Sequence, residues 1–233
     1  TMSSIIEEIE SRILYEDNHL IIINKKSGEI VQADKTGDVP LVERVREYLK
    51  EKYQKPGNVF CGSVHRLDRP VSGAIIFTKT SKGLERMAQI IKDRKISKIY
   101  WAIVERKPEK ESQRLVHYLR KNEKLNRSFA SDTKVENSLR AELHYTVIGA
   151  SQNYCLLEVE LFTGRHHQIR VQLSSIGCII KGDLKYGAKR PNPDASIGLH
   201  ARRLAFEHPI TKVPIEILAE PLGEHFQKIW YNK

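Results

Sequence analysis

The sequence predicts an α+β fold on a mainly antiparallel sheet, and three observations carry that expectation. Short apolar or alternating runs with strand character outnumber amphipathic helical stretches along the 233 residues. The helical stretches fall irregularly between the strands, unlike the regular alternation of a doubly wound fold. No internal repeat or low-complexity segment interrupts the pattern.

Each element has its own local reason. Residues up to about Glu10 mix polar and apolar side chains, as in a short helix or a frayed end. Ile13-Leu14-Tyr15, then Glu16-Asp17-Asn18, then His19-Leu20-Ile21-Ile22-Ile23-Asn24 reads as strand, turn, strand. Lys25-Lys26-Ser27-Gly28 is a turn with two cations at its edge. Over residues 40–53 a helix gathers Leu41, Val42, Val45, Tyr48 and Leu49 on one face, with Pro40 in the first turn, where proline is tolerated. Ala74-Ile75-Ile76-Phe77 reads as a buried strand. Thr80 or Ser81 then caps a helix in which Leu84, Met87, Ala88 and Ile91 have helical spacing, making Met87 core. Residues 98–104 form a strand. Residues 106–134 are polar and mostly basic, with Tyr118 and Phe129 among the cations. They read either as a solvated hairpin or loop, or as an RNA-contacting arm whose cations hold phosphates while its rings stack on unpaired bases. Residues 140–147 and 154–162 alternate as strands. Ile169, Leu173 and Ile176 have helical spacing, with Gly177 as the C-terminal cap. After turns at 181–183 and 191–194, residues 199–206 and 214–218 close the sheet.

Composition narrows the partners. Thirty-nine Lys and Arg against twenty-nine Asp and Glu give a formal net charge of +10, which suits a polyanion such as nucleic acid and disfavours cationic partners. No apolar run approaches the length of a membrane span. The opening residues lack a basic segment followed by an apolar core, so no signal peptide is expected. Cys61, Cys155 and Cys178 are far apart, form no CxxC pair and are odd in number. They are expected as buried small hydrophobes in a reduced, cytoplasmic setting. There is no P-loop and no dinucleotide glycine fingerprint. His166-His167 diverge in direction on any regular element, so a metal site there is not expected.

The candidate site centres on His65-Arg66-Leu67-Asp68 followed by Arg69-Pro70-Val71-Ser72-Gly73. One carboxylate stands between two guanidinium groups in a segment rich in turn formers, with a buried strand behind it. A rigid loop with a carboxylate and cations suits covalent or electrostatic catalysis. Arg165 shares a face with Ile169 in either a helical or a strand reading, so it is expected to point with the apolar side. A buried guanidinium needs an anionic partner, and Asp68 would satisfy it.

These segments resemble the RluA family of pseudouridine synthases. His65-Arg66-Leu67-Asp68 with Ser72-Gly73 is similar to the family's active-site motif, in which the aspartate is catalytic. Lys98-Ile99-Tyr100-Trp101-Ala102 resembles its lysine-x-tyrosine-x-alanine segment. Thr163-Gly164-Arg165-His166-His167-Gln168-Ile169-Arg170 resembles its third motif, whose first arginine pairs with the catalytic aspartate. Tyr15-Glu16-Asp17, Gly182-Asp183, Tyr186-Gly187 and Leu199-His200-Ala201 follow the family pattern in order, so the resemblance spans about residues 13–226. Lys26 stands where proline is usual, Val71 replaces a threonine and Gln172 a histidine.

The resemblance implies an N-terminal extension over 1–12 and one catalytic domain over 13–233: a mixed, mainly antiparallel sheet with flanking helices and loops around a central cleft. Too few residues precede the first strand for an N-terminal S4 domain, so the catalytic domain itself would grip the RNA. The implied function is isomerisation of specific uridines in rRNA or tRNA to pseudouridine, by a cytoplasmic monomer with no cofactor, metal or membrane. Asp68, Tyr100 and Arg165 are the implied catalytic residues. Arg66, Arg69, His65, Ile169, Lys25, Arg120 and Lys121 are the candidate substrate and RNA contacts. The competing reading is a catalytically silent RNA-binding or ribosome-assembly factor, against which the joint presence of Asp68, Tyr100 and Arg165 argues.

Overall fold

The computed structural model describes residues 2–229; Thr1 and residues 230–233, the outer ends of the expected extension and catalytic domain, lie outside the described residues. In chain order, helix α1 (Met2–Glu10) leads to strands β1 (Ile13–Glu16) and β2 (Leu20–Lys25), helix α2 (Leu41–Lys52), the two-residue strand β3 (Gly62–Ser63), strand β4 (Ser72–Thr78) and helix α3 (Ser81–Lys92). Strands β5 (Ile96–Val104), β6 (Ser112–Asn122), β7 (Arg127–Ser131), β8 (Leu139–Ala150) and β9 (Cys155–Leu161) follow. Helix α4 (Gln168–Ser175), a single 3-10 turn (Leu184–Tyr186), strands β10 (Leu199–Glu207) and β11 (Pro214–Leu218) and the short helix α5 (Glu224–Gln227) come last. The fold is α+β on a mixed sheet, as the sequence predicts. No described helix is long and apolar enough to cross a bilayer.

Backbone contacts divide the chain into two compact units, Thr1–Ile96 with Ala201–Glu220, and Ser97–His200 with Pro221–Lys233. In the first, the strand order is β1-β2-β4-β10, with β11 paired to β10 and β3 to β4. Strands β2 and β4 pair antiparallel from Leu20 opposite Thr78 to Lys25 opposite Gly73, and every residue of both is buried. A strand covered on both faces reads as a continuous apolar run, hence Leu20 to Ile23 and Ala74 to Phe77. Each fully buried aliphatic of this kind contributes about 1.5–3 kcal/mol, so the two strands are firm anchors for whatever loops leave their ends. Met87 is core, packed with Leu20, Ile22, Ala74 and Ile76. Thr80 caps α3 by accepting from the Gly83 amide at 3.0 Å. Pro40 is the N-cap residue of α2 and not part of its first turn.

Helix α1 packs on α2. Arg12 is buried and donates to both oxygens of Glu29, at 2.5 and 2.8 Å, and to Glu8 at 2.7 Å. Residues 2–12 are therefore bound into the unit. The Tyr15-Glu16-Asp17 segment is a double knot. The Asp17 carboxylate accepts from the Tyr15 hydroxyl, from the amides of His19 and Leu20 and bonds His208 Nε2, all within 2.9 Å. Glu16 accepts from Tyr48, Tyr53 and Lys79.

In the second unit the order is β5-β9-β8-β6-β7, and each of these pairings is antiparallel. The basic stretch whose form the sequence left open is the β6–β7 hairpin. Helix α4 ends at the C-cap Ile176, and Gly177 follows with φ +81°, the left-handed cap that glycine allows.

Gly73 ties these observations to the loop before β4. Its φ is +121°, and a Cβ there would lie 2.4 Å from the Ala201 backbone nitrogen and oxygen on β10. Both the dihedral and the strand spacing demand glycine. Gly73→Ala is expected to cost about 3 kcal/mol or more in urea denaturation. A change within 0.5 kcal/mol, roughly that of an ordinary surface substitution, would contradict this packing.

Candidate active site

The loop that carries Asp68 runs from the end of β3 into β4 and is clamped by the turn that follows β2. Lys25, the last residue of β2, is fully buried. Its ammonium donates to three backbone carbonyls, Lys26 at 3.0 Å, Arg69 at 3.2 Å and Val71 at 2.6 Å. The Ser27 hydroxyl donates to the Pro70 carbonyl at 3.2 Å, and the Gly28 amide to the Arg69 carbonyl at 2.8 Å. Gly28 reaches this position with φ +94°. Within the loop, the Val71 amide donates to the Asp68 carbonyl at 2.9 Å. His65 Nε2 accepts from the Ile76 amide at 2.9 Å, fixing the loop's other side to β4. The half-buried Asp68 is thus held by its own backbone neighbours on both sides.

Burial is the largest influence on Lys25 and pulls its pKa down to about 7; the charges of Glu29 and Asp68 pull it back up, and Arg69 and Arg12 push it down. The sequence predicts Lys25 as a turn cation and a candidate substrate or RNA contact, but its side chain is buried. It is instead a strut beneath the Asp68 loop, because all three donors are spent on backbone carbonyls, two of them in that loop. Arg69 also differs from expectation. Its guanidinium donates to the Gly28 carbonyl and Thr36 hydroxyl and pairs with Asp38 at 3.0 Å and Asp34 at 3.6 Å, so it fastens the 34–38 segment. Arg66 is exposed.

In the second unit, Tyr100 lies half-buried on β5 opposite Val159. Arg165 stands in the turn between β9 and α4. Gln168 builds that turn: its Oε1 accepts from the Arg165 amide at 3.0 Å and the Thr163 hydroxyl at 2.8 Å, and its Nε2 donates to the Glu142 carbonyl at 3.1 Å. The Arg165 Nε donates to the Arg140 carbonyl at 2.9 Å. Arg165 is half-buried, not buried as expected, because the turn takes it off the helical face before α4 begins at Gln168. His167, at φ +53°, is the N-cap where the apolar periodicity breaks. Ile169 is buried on α4. Arg120 and Lys121 are exposed on the β6–β7 hairpin, Arg120 opposite Phe129 and Lys121 3.3 Å from Glu123.

The buried guanidinium of this region is Arg170. It forms a two-pronged pair with Asp183, both bonds at 2.8 Å, with both side chains almost fully covered. It also lies 5.1 Å from the centre of the Tyr186 ring. The Tyr186 hydroxyl accepts from the Ser128 amide at 2.8 Å and bonds His167 Nδ1 at 2.7 Å. Arg170 and Asp183 both lie in the motif segments, but nothing in the sequence pairs them. The thirteen-residue separation crosses the α4 helix and a turn, so no local rule signals the pairing.

Lys25 gives a pH-dependent test. Its folded pKa, about 7, lies below the unfolded value near 10.4. Between the two, the unfolded chain binds the extra proton, so stability from this residue rises with pH. From pH 7 to 9, wild-type protein is expected to gain about 2 kcal/mol more than Lys25→Met in denaturant titrations. Parallel profiles for the two proteins would contradict the burial of a titrating amine.

Residues 19–175 match the family model described as RNA pseudouridylate synthase. The chain is 32% identical over 224 residues to ribosomal large subunit pseudouridine synthase D of Zymomonas mobilis, covering 92% of this chain and 70% of that protein. It is 30% identical over 231 residues to ribosomal large subunit pseudouridine synthase C of Vibrio vulnificus, covering 96% and 70%. Among solved structures, human RNA pseudouridylate synthase domain containing 4 shares the fold with a TM-score of 0.83 at 20% identity, over 100% of this chain and 98% of that one. None of these relatives is described as a silent RNA-binding or assembly factor. By the family model and its relatives, the chain belongs to the RNA pseudouridylate synthases, isomerases that act on RNA, and within them to the RluA family.

Proposed function

We propose that this synthase isomerises specific uridines of ribosomal or transfer RNA, with Asp68 as the carboxylate that acts on the sugar. The observation that carries this reading is the clamped Asp68 loop: a half-buried carboxylate on a backbone fixed by Lys25, Ser27, Gly28 and His65. Names of ribosomal large subunit enzymes among the relatives favour ribosomal RNA.

In the reaction, the N1–C1′ bond breaks, the uracil rotates, and C5 bonds C1′. The proton on C5 leaves and N1 gains one, so no electrons are exchanged with a cofactor. Asp68 attacks C1′ or removes the C2′ proton. Tyr100 stacks on the uracil and assists loss of the C5 proton. Arg165 supplies a guanidinium, a group suited to stabilising a carboxylate. The uridine must leave its stack for this chemistry, and Arg66, exposed on the same loop as Asp68, fills the space it vacates. Ile169 contributes apolar wall.

RNA is held by the basic hairpin. Arg127 lies 5.3 Å from the Phe129 ring centre and Arg120 stands opposite Phe129, so an exposed ring is interleaved with cations. The catalytic domain, taken as residues 13–233, works as a cytoplasmic monomer. Three buried, unpaired cysteines suit a reducing compartment.

The test uses RNA carrying tritium at uridine C5. Wild-type protein is expected to release tritium, and Asp68→Asn to release none above background while keeping its melting temperature and its affinity for RNA. Sustained release by Asp68→Asn would remove Asp68 from the chemistry. No release by wild type from any cellular RNA, with binding intact, would restore the silent factor.

A further inference from the structure

Lys98 is a cation that the fold holds half-buried, unmatched among the described residues. It lies on β5 two residues before Tyr100, and strand alternation puts both side chains on the same face. On the β9 side, Lys98 is opposite Leu161 and Tyr100 opposite Val159, so no acidic side chain of that strand stands directly across from either. The Lys98 Nζ lies against the Thr163-Gly164-Arg165 turn: a Cβ on Gly164 would be 3.8 Å from it and, apart from Gly164 and its two chain neighbours, within 4 Å of no other described heavy atom. The ammonium therefore sits at the turn that carries Arg165 and on the face that carries Tyr100.

Other covered lysines have partners. Lys25 has three carbonyls, Lys79 has Glu16, and Lys181 has Asn192. Among the described residues, Lys98 has no ion-pair or hydrogen-bond partner. Burial alone lowers its pKa, with no carboxylate pulling it back. Removing water from an ammonium without supplying an anion is costly. The same partial dehydration strengthens its attraction to an anion that arrives later, since the local dielectric is lower than at the open surface.

We propose that Lys98 binds a backbone phosphate of the RNA next to the target uridine. This rests on the assignment of Tyr100 and Arg165 to the reaction site. RNA brings one permanent anion per nucleotide, whereas uracil is neutral until its glycosidic bond breaks, so the phosphodiester is the partner present at binding. Two residues of strand span about 7 Å. That spacing lets the lysine reach the phosphate flanking a base stacked on Tyr100, fixing the strand where the base leaves it.

The experiment measures RNA affinity against salt concentration for wild type, Lys98→Met and Lys98→Arg, together with kcat and KM. Lys98→Met is expected to bind about ten-fold more weakly, with the salt dependence shallower by about one phosphate contact. KM is expected to take the larger share of the loss in kcat/KM, and Lys98→Arg to restore affinity and slope. Unchanged affinity and slope in Lys98→Met would overturn the proposal. So would a loss confined to kcat, which would point to charge on the departing uracil instead. Should the methionine variant lose its fold, Lys98→Gln is read by the same criteria. A wild-type protein with a Lys98-dependent slope but no tritium release would overturn the isomerase reading and leave the phosphate contact standing.

Discussion

One ammonium group under one loop sets the geometry on which the site depends. Lys25 ends a strand covered on both faces, so its side chain starts inside the protein. An isolated buried cation would cost several kcal/mol. Three carbonyls offset that cost, and two of them, Arg69 and Val71, belong to the loop that carries Asp68. The need to solvate a buried charge and the need to satisfy a loop's backbone are met by the same contacts. The Asp68 backbone is thereby fixed relative to β2, one of the most deeply packed strands of its unit.

The same economy runs through the other motif segments. Asp17 and Glu16 are acceptors that knot the β1–β2 turn to distant segments. Asp183 neutralises Arg170. Tyr186 joins β7 to the start of α4. Gln168 shapes the turn on which Arg165 stands. Most of the polar residues that make the sequence recognisable thus hold backbone in place, and few are left to meet a substrate. A site that must keep a carboxylate steady while a nucleotide is unstacked benefits from this, because the loop need not be ordered anew on each encounter.

Much of this was legible in the sequence where a single period or a single cap decides the outcome. The apolar run at 74–77, the spacing around Met87, the Thr80 cap and the Gly177 terminus follow from local rules. Lys25 was not legible, because a cation beside a turn looks solvated until the strand before it is known to be covered on both faces. Arg165 was misplaced because periodicity was extended through His167, whose left-handed backbone breaks it. Arg69 looked like a site cation because its carboxylate partners, Asp34 and Asp38, lie more than thirty residues away. The Arg170–Asp183 pair was hidden by separation too. Local rules recover elements; long-range polar pairing needs the fold.

That Lys25 fixes the Asp68 loop is tested most directly by amide hydrogen exchange in Lys25→Met. The Val71 amide, which donates to the Asp68 carbonyl, is the reporter, with the amides of Ile75 to Phe77 in β4 as the internal standard. Exchange at Val71 is expected to speed by at least about ten-fold, the equivalent of about 1.4 kcal/mol of local opening, with much smaller changes in β4. Equal protection of Val71 in the variant and the wild type would contradict a loop held by the buried ammonium.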